Sequence, residues 1–258
     1  MSPSPQALSL PRWVDSLRST LTKNLKENKD LISYALATVD DQHRPRTRFV
    51  VHRGFVNERR KDSDGSSNKV KDDQDNDLIS DKLVVTTDAR TPKSVQMAAN
   101  PAVEIAWWLA ATQHQYRIVG KAYILASPAF AKASDSPKFP FPADELSPYP
   151  GFNWEDERIR QFRKLSPELR ASFVRPIPGT KLSEWDGKME DLPEKLVEGY
   201  DEAKSDDEKK QLDEALRNFA LIVIDPTEVD LVDLGSMPNE RTQWFRSGSK
   251  WEEQGVVP

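Results

Sequence analysis

The chain predicts a mainly β protein, an antiparallel barrel with peripheral helices. Short β-branched and aromatic runs recur along most of its length. Only one short helical pattern interrupts the central runs, which argues against βαβ winding. At 258 residues the chain can form one barrel domain, and a single domain over 1–258 is the expected organisation.

The elements follow in order. Behind Pro11, the residues Trp13, Val14, Leu17, Leu21 and Leu25 recur at helical spacing and predict an amphipathic helix packed as a lid on a sheet. Ile32 to Val39 and Arg46 to Phe55 read as a hairpin across the polar turn Asp40 to Pro45. Lys82 to Thr87, Ala102 to Ala110 and Gln115 to Ala126 are three further strands, with a helix from Pro92 to Ala99 after the first. Ser127 to Phe152 reads as an ordered irregular loop. Asn153 caps a helix through Leu165, and Ser166-Pro167 opens another. The closing strands are expected at Phe219 to Ile224, Val229 to Leu234, Gln243 to Arg246 and Trp251 to Val257. Three polar stretches stand apart: a flexible tail over 1–10, a mobile insertion over 57–77, and a polar insertion over 198–210 that leads into a surface helix reaching Arg217.

Composition removes several function classes. Lys and Arg number 37 against 42 acidic residues, with no polybasic block, so nucleic acid is an unexpected partner. No run of about 18 apolar residues exists, and Met1 to Leu10 lacks the pattern of a secretory signal, so a cytoplasmic protein without membrane contact is expected. Without cysteine there is no disulfide, thiolate nucleophile or Cys-based metal site. The three histidines, His43, His52 and His114, form no metal motif, and no metal site is expected. Serine-hydrolase, P-loop and dinucleotide fingerprints are all missing.

Four features carry candidate chemistry. In Thr87-Asp88-Ala89-Arg90-Thr91-Pro92-Lys93 a strand ends and a helix begins, with Thr91 as N-cap and Pro92 at the first position. Arg90 and Lys93 oppose the helix dipole there, by about 0.3–1 kcal/mol each when exposed, which a bound anion would offset. Taken alone, the segment reads slightly better as two side chains turned into solvent. Arg46, Arg48 and Arg53 share one strand, but alternation puts Arg53 on the opposite face unless a bulge re-aims it. Gln115 opens a strand with an amide able to pair with a heterocycle edge. Of the adjacent Trp107 and Trp108, one should pack in the core and the other face an interface or solvent.

In order and spacing these segments resemble the pyridoxamine-5′-phosphate-oxidase-like FMN-binding split barrels, especially the Alr4036-type branch. The resemblance runs from about Trp13 to the C-terminus. It is carried by Arg46-Thr47-Arg48-Phe49-Val50-Val51-His52-Arg53-Gly54-Phe55, Thr86-Thr87-Asp88-Ala89-Arg90-Thr91-Pro92-Lys93, Asn100-Pro101, Gln115-Tyr116-Arg117-Ile118-Val119-Gly120, and Asn239-Glu240-Arg241 with Trp251 and Val257-Pro258. It implies FMN held between two subunits of a homodimer, with Arg48 and Arg53 as the basic pair on the strand containing Phe49, Val50 and Val51. Thr86 and Thr87 would line the ribityl chain, and Arg90, Lys93 and Thr91 would hold the phosphate. Gln115 would meet the flavin ring and Arg241 would approach from near the C-terminus.

The departures are specific. Met237 and Asn239 stand where the oxidases carry an Arg-x-His grip on the pyridoxal group. Phe162 and Ser166-Pro167 align with the substrate-phosphate run, and Pro92 replaces an arginine for which Arg90 would substitute. Each lost charge-assisted contact removes about 1.5–3 kcal/mol, so vitamin B6 oxidation is expected to be weak or absent. The expected activity is therefore an FMN-dependent oxidoreductase with no assignable catalytic acid or base. The competing expectations are a non-catalytic FMN-binding or sensing protein and, behind it, a split barrel that binds haem through a histidine.

Overall fold

The computed structural model describes residues 9–59, 72, 78–134 and 136–258. The expected tail and the expected insertion over 57–77 lie outside the described residues, except for residues 9, 10, 57–59 and 72. Eight strands form one antiparallel sheet: β1 (Ser33–Val39), β2 (Pro45–Phe55), β3 (Leu83–Asp88), β4 (Ala102–Leu109), β5 (His114–Leu125), β6 (Phe219–Asp233), β7 (Glu240–Ser247) and β8 (Lys250–Val256). Their spatial order is β3-β2-β1-β4-β5-β6-β7-β8, and a further β3–β6 pairing closes the first six into a barrel.

Closure depends on β6. Two short closing strands were expected from Phe219 to Leu234, but the chain continues through Asp225-Pro226 as one strand. Its first half pairs with β3 and β5, while residues 228–233 pair with β5 and β7. The missing Pro226 N–H is accommodated by a register shift opposite Val119 and Gly120. Gly120 has to be glycine there, because a Cβ would lie 2.4 Å from the Asp225 carbonyl oxygen.

The interior is filled by alternating side chains such as Leu36, Val85, Ile105, Ile118 and Ile222, and is sealed by Trp13, Val14, Leu17 and Leu21 from α1 (Arg12–Glu27). Burying each of these apolar side chains contributes about 1.5–3 kcal/mol. The lid expectation is therefore met. α2 (Pro92–Ala99) buries Ser94 and Met97.

The opposite side of β3 and β6 carries a second apolar cluster. Val84, Leu221 and Val223 meet Trp154 and Phe162 of α5 (Trp154–Arg163) and Ala171 of α6 (Pro167–Ala171), together with Leu212 and Ala215 of α7 (Asp206–Asn218). Asn153 and Ser166 cap α5 and α6 as expected. The polar stretch over 198–210 leads into α7 through a capping box between Ser205 and Glu208. The loop expected from Ser127 to Phe152 contains two short helices, α3 (Pro128–Lys132) and α4 (Ala143–Leu146). Among the described residues no helix is long and apolar enough to cross a membrane.

Candidate functional site

The start of α2 is a cluster of hydroxyls. Thr91 Oγ1 donates to the Asp88 carbonyl at 2.8 Å and lies 3.0 Å from Ser94 Oγ, while Thr87 Oγ1 lies 3.4 Å from Thr91 Oγ1. Thr91 occupies the N-cap position with extended backbone, yet its side chain makes no cap hydrogen bond. Its hydroxyl instead receives the Lys93 ammonium at 3.3 Å. One turn further along α2, Gln96 Oε1 accepts from Arg48 Nη2 at 3.0 Å and from Thr38 Oγ1 at 2.7 Å. Arg48 Nη1 donates to Thr38 Oγ1 at 2.7 Å and to the Leu36 carbonyl at 3.2 Å.

Arg48 of β2 and Lys93 of α2 are thus brought to one place, and among the described residues every hydrogen-bond acceptor they find there is neutral. Lys93 titrates below an ordinary lysine, because burial disfavours its charge and Arg48 repels it, with Asp88 opposing the shift to a smaller extent. Burial also lowers Arg48. Two neighbouring cations with neutral acceptors form a basin for an anion.

Arg90 is oriented by its neighbour Asp88. Its guanidinium closes on the Asp88 carboxylate, with Nη2 to Oδ2 at 2.6 Å and Nε to Oδ1 at 3.0 Å, and Nη2 also reaches the Phe173 carbonyl at 2.9 Å. The strand exit thereby braces the segment after α6. Thr86 and Thr87 alternate across β3, so they diverge. Thr87 joins the hydroxyl cluster, whereas Thr86 accepts from Arg53 Nε at 3.2 Å. The bulge anticipated near Arg53 is present as a register shift between His52 and Phe55, with Gly54 at φ 102°. It does not join Arg53 to Arg48 through any hydrogen bond among the described residues. Burial lowers Arg53 as well.

The remaining expected site residues, Val50 apart, lie on the outer face of the sheet. On β2, Phe49 is 79% exposed and Val51 is partly covered, while Val50 is buried in the core. Trp108 pairs with Gln115 across β4 and β5 and is 47% exposed, whereas Trp107 is buried and donates to the Leu31 carbonyl. One tryptophan inside and one outside is what strand alternation requires. Arg241 does not project freely, because Asp230 accepts from its Nε at 3.0 Å and its Nη2 at 2.7 Å. Asp230 also accepts from Arg117 and Gln243. Burial works to raise this carboxyl, but the hydrogen bonds from Arg241, Gln243 and Arg117 prevail and hold it at about 2.

Several partners escaped the sequence. Gln96 lies three residues after Lys93 on one helix face, a spacing that was readable. Asp230 and Asp233 are brought in only by the register of β6. Asp233 pairs with His114 across the ladder, 3.3 Å from Nε2, although no carboxylate partner was legible for that histidine. His114 Nδ1 meets Thr20 Oγ1 of α1 at 3.1 Å, so it ties the lid to the sheet. His52 is buried among Tyr34, Phe55 and Trp107. Among the described residues no cluster suits a metal ion.

Residues 10–126, which contain β1 to β5, Arg48, Arg53, the α2 start and Gln115, match the family described as pyridoxamine 5′-phosphate oxidase, FMN-binding domain. Over this segment the chain is similar to the pyridoxamine 5′-phosphate-oxidase-like family. Relatives extend the likeness over nearly the whole chain. A crystal structure of a pyridoxamine 5′-phosphate oxidase-related, FMN-binding protein from Nostoc punctiforme covers 97% of this chain and 100% of its own, at 22% identity and a TM-score of 0.64. PhzG from Burkholderia lata, solved in complex with tetrahydrophenazine-1-carboxylic acid, covers 96% of this chain and 92% of its own, at 11% identity and a TM-score of 0.55. The uncharacterized protein YGR017W of Saccharomyces cerevisiae is 23% identical, over 92% of this chain and 96% of its own. At these identities the solved structures of the family establish the barrel fold.

Proposed function

We propose that the chain is an FMN-dependent oxidoreductase, active as a cytoplasmic homodimer, in the Alr4036-type branch of its family. The observation that carries the reading is the Arg48–Lys93 basin, where two cations meet hydroxyls and an amide and no carboxylate closes an ion pair with either among the described residues. A phosphate monoester suits it, because its oxygens can accept from both cations. Pro92 leaves the first helical position without an N–H, so the side chains and the helix dipole supply most of the attraction.

FMN supplies electron or hydride transfer at its ring. The chain would supply position and charge: Arg48 and Lys93 would hold the phosphate with Thr91 positioning Lys93, Thr87 on the basin side of β3 would line the ribityl chain, and Arg53 with its partner Thr86 would act with Gln115 on the ring to favour negative charge there. Arg90 supports this arrangement from behind by fixing Asp88 and the strand exit. Phe49, Val51 and Trp108 lie on the face that a second copy would cover, with Arg241 held ready by Asp230. Met237, 89% exposed, offers no charge for a pyridoxal phosphate, so vitamin B6 oxidation is weak or absent.

The test is purification of the full chain, incubation with FMN and desalting, followed by absorbance and turnover assays with NAD(P)H and a panel of acceptors. Retained flavin with turnover is expected. A protein that stays colourless refutes the cofactor assignment, and retained flavin without turnover replaces the enzyme by a non-catalytic flavin-binding protein.

A further inference from the structure

The helical layer beside the barrel encloses a cavity of about 660 Å³, bounded by α5, α6, α7 and the 198–201 turn. These elements contribute no side chain to the Arg48–Lys93 basin. The volume lies within the range of about 300–1,000 Å³ typical of small-molecule sites. Ile159, Phe162, Leu212 and Leu216 supply apolar walls. Arg170 also lines the cavity and is only 6% exposed.

The environment of Arg170 is unusual for a buried cation. Its Nη1 donates to the Glu198 carbonyl and its Nη2 to the Arg163 carbonyl at 2.7 Å, and both acceptors are neutral. Nε finds no acceptor among the described residues. The guanidinium carbon sits over the Phe162 ring, 5.4 Å from its centroid. Glu198 acts on it electrostatically, but no carboxylate comes within ion-pair distance among the described residues. Arg158, on the same helical layer and 1% exposed, shows the contrast, because Glu155 neutralises it at 2.6 Å. Buried charges are ordinarily paired, and Arg170 has the room for a partner beside it.

We propose that this cavity binds a small amphipathic monocarboxylate, with its acid group on Arg170 and its apolar body against Ile159, Phe162, Leu212 and Leu216. One buried positive charge matches a carboxylate better than a phosphate, which carries about two negative charges near neutral pH. Arg163, Glu198 and Asp201 stand exposed at the mouth, where solvent and salt screen them. Arg170 thus sets the charge preference of the interior. The inference stands apart from the flavin reading.

Isothermal titration of the full chain, with FMN in excess to occupy its own site, tests it with 2-naphthoate and the uncharged 2-naphthamide as probes. The expected result is one naphthoate per chain, with the amide weaker by at least about tenfold. Arg170→Met should weaken naphthoate by a similar factor, and Leu216→Trp, which fills the cavity and keeps the arginine, should abolish binding. Circular dichroism checks both variants. If Arg170→Met does not fold, the amide comparison and Leu216→Trp decide the matter. No heat with naphthoate, equal affinity for the amide, or full binding in Leu216→Trp overturns the proposal.

Discussion

Replacing Lys93 by Met should change flavin affinity and protein stability in opposite directions. In the flavin-free protein the ammonium is disfavoured by burial and by Arg48, and its one hydrogen bond is a 3.3 Å contact to Thr91. Methionine removes that charge while keeping an apolar stem, so the flavin-free variant should be as stable as the parent or more stable. A charge-assisted contact to phosphate is worth about 1.5–3 kcal/mol, which corresponds to a loss in FMN affinity of roughly tenfold to 150-fold. The pH dependence has a definite sign. The folded pKa of Lys93 lies below its unfolded value, so its charge destabilises the fold at low and neutral pH. That penalty disappears as pH rises through the depressed folded pKa toward the ordinary lysine range. A bound phosphate needs the charged form, so FMN affinity should fall over the same rise. Titration of FMN fluorescence from neutral to alkaline pH, with urea unfolding of the flavin-free proteins, measures both effects. A Lys93→Met protein that is less stable but binds FMN with unchanged affinity and pH dependence would falsify the basin assignment.

Three further substitutions examine other parts of the molecule. Arg90→Ala removes the brace from Asp88 to the Phe173 carbonyl, so urea unfolding should show a loss of about 1.5–3 kcal/mol; its FMN affinity should fall less than that of Lys93→Met, and the reverse order would restore Arg90 as the main phosphate ligand. Gly120→Ala places a Cβ 2.4 Å from the Asp225 carbonyl oxygen and should destabilise the barrel by about 1–3 kcal/mol in the same assay. Phe49→Asp combined with Trp108→Asp puts two charges on the exposed sheet face; buried aromatic anchors are worth about 2 kcal/mol or more each, so light scattering should find the proposed dimer for the parent and monomers for the variant, and a variant that stays dimeric would move the interface elsewhere.

The local elements were legible because their signals are local. Pro92 to Ala99 and the Asn153 and Ser166 caps follow from dihedral preferences and short-range hydrogen bonds, and they occur where the sequence places them. The alternation that puts Trp107 inside and Trp108 outside is equally a property of one strand. Asp225-Pro226 misled for the same reason. A proline that locally signals a strand end is tolerated within β6 because a neighbouring strand carries glycine at the matching bulge.

The sequence by itself determined the strands other than the continuity of β6, the lid helix, the α2 start and the set of basic and polar residues proposed to meet FMN. Tertiary structure decided which of them share a site. Gln96 and Thr38 tie Arg48 to α2, which brings Lys93 under its electrostatic influence, whereas Arg90 reaches past its neighbour Asp88 to Phe173, and Arg241 and His114 find carboxylates only through the register of β6. The reason is physical: a side chain's charge and reach are local, but its partner is set by strand pairing and helix packing, which join residues as near in the chain as Arg241 and Asp230 and as distant as Arg117 and Asp230.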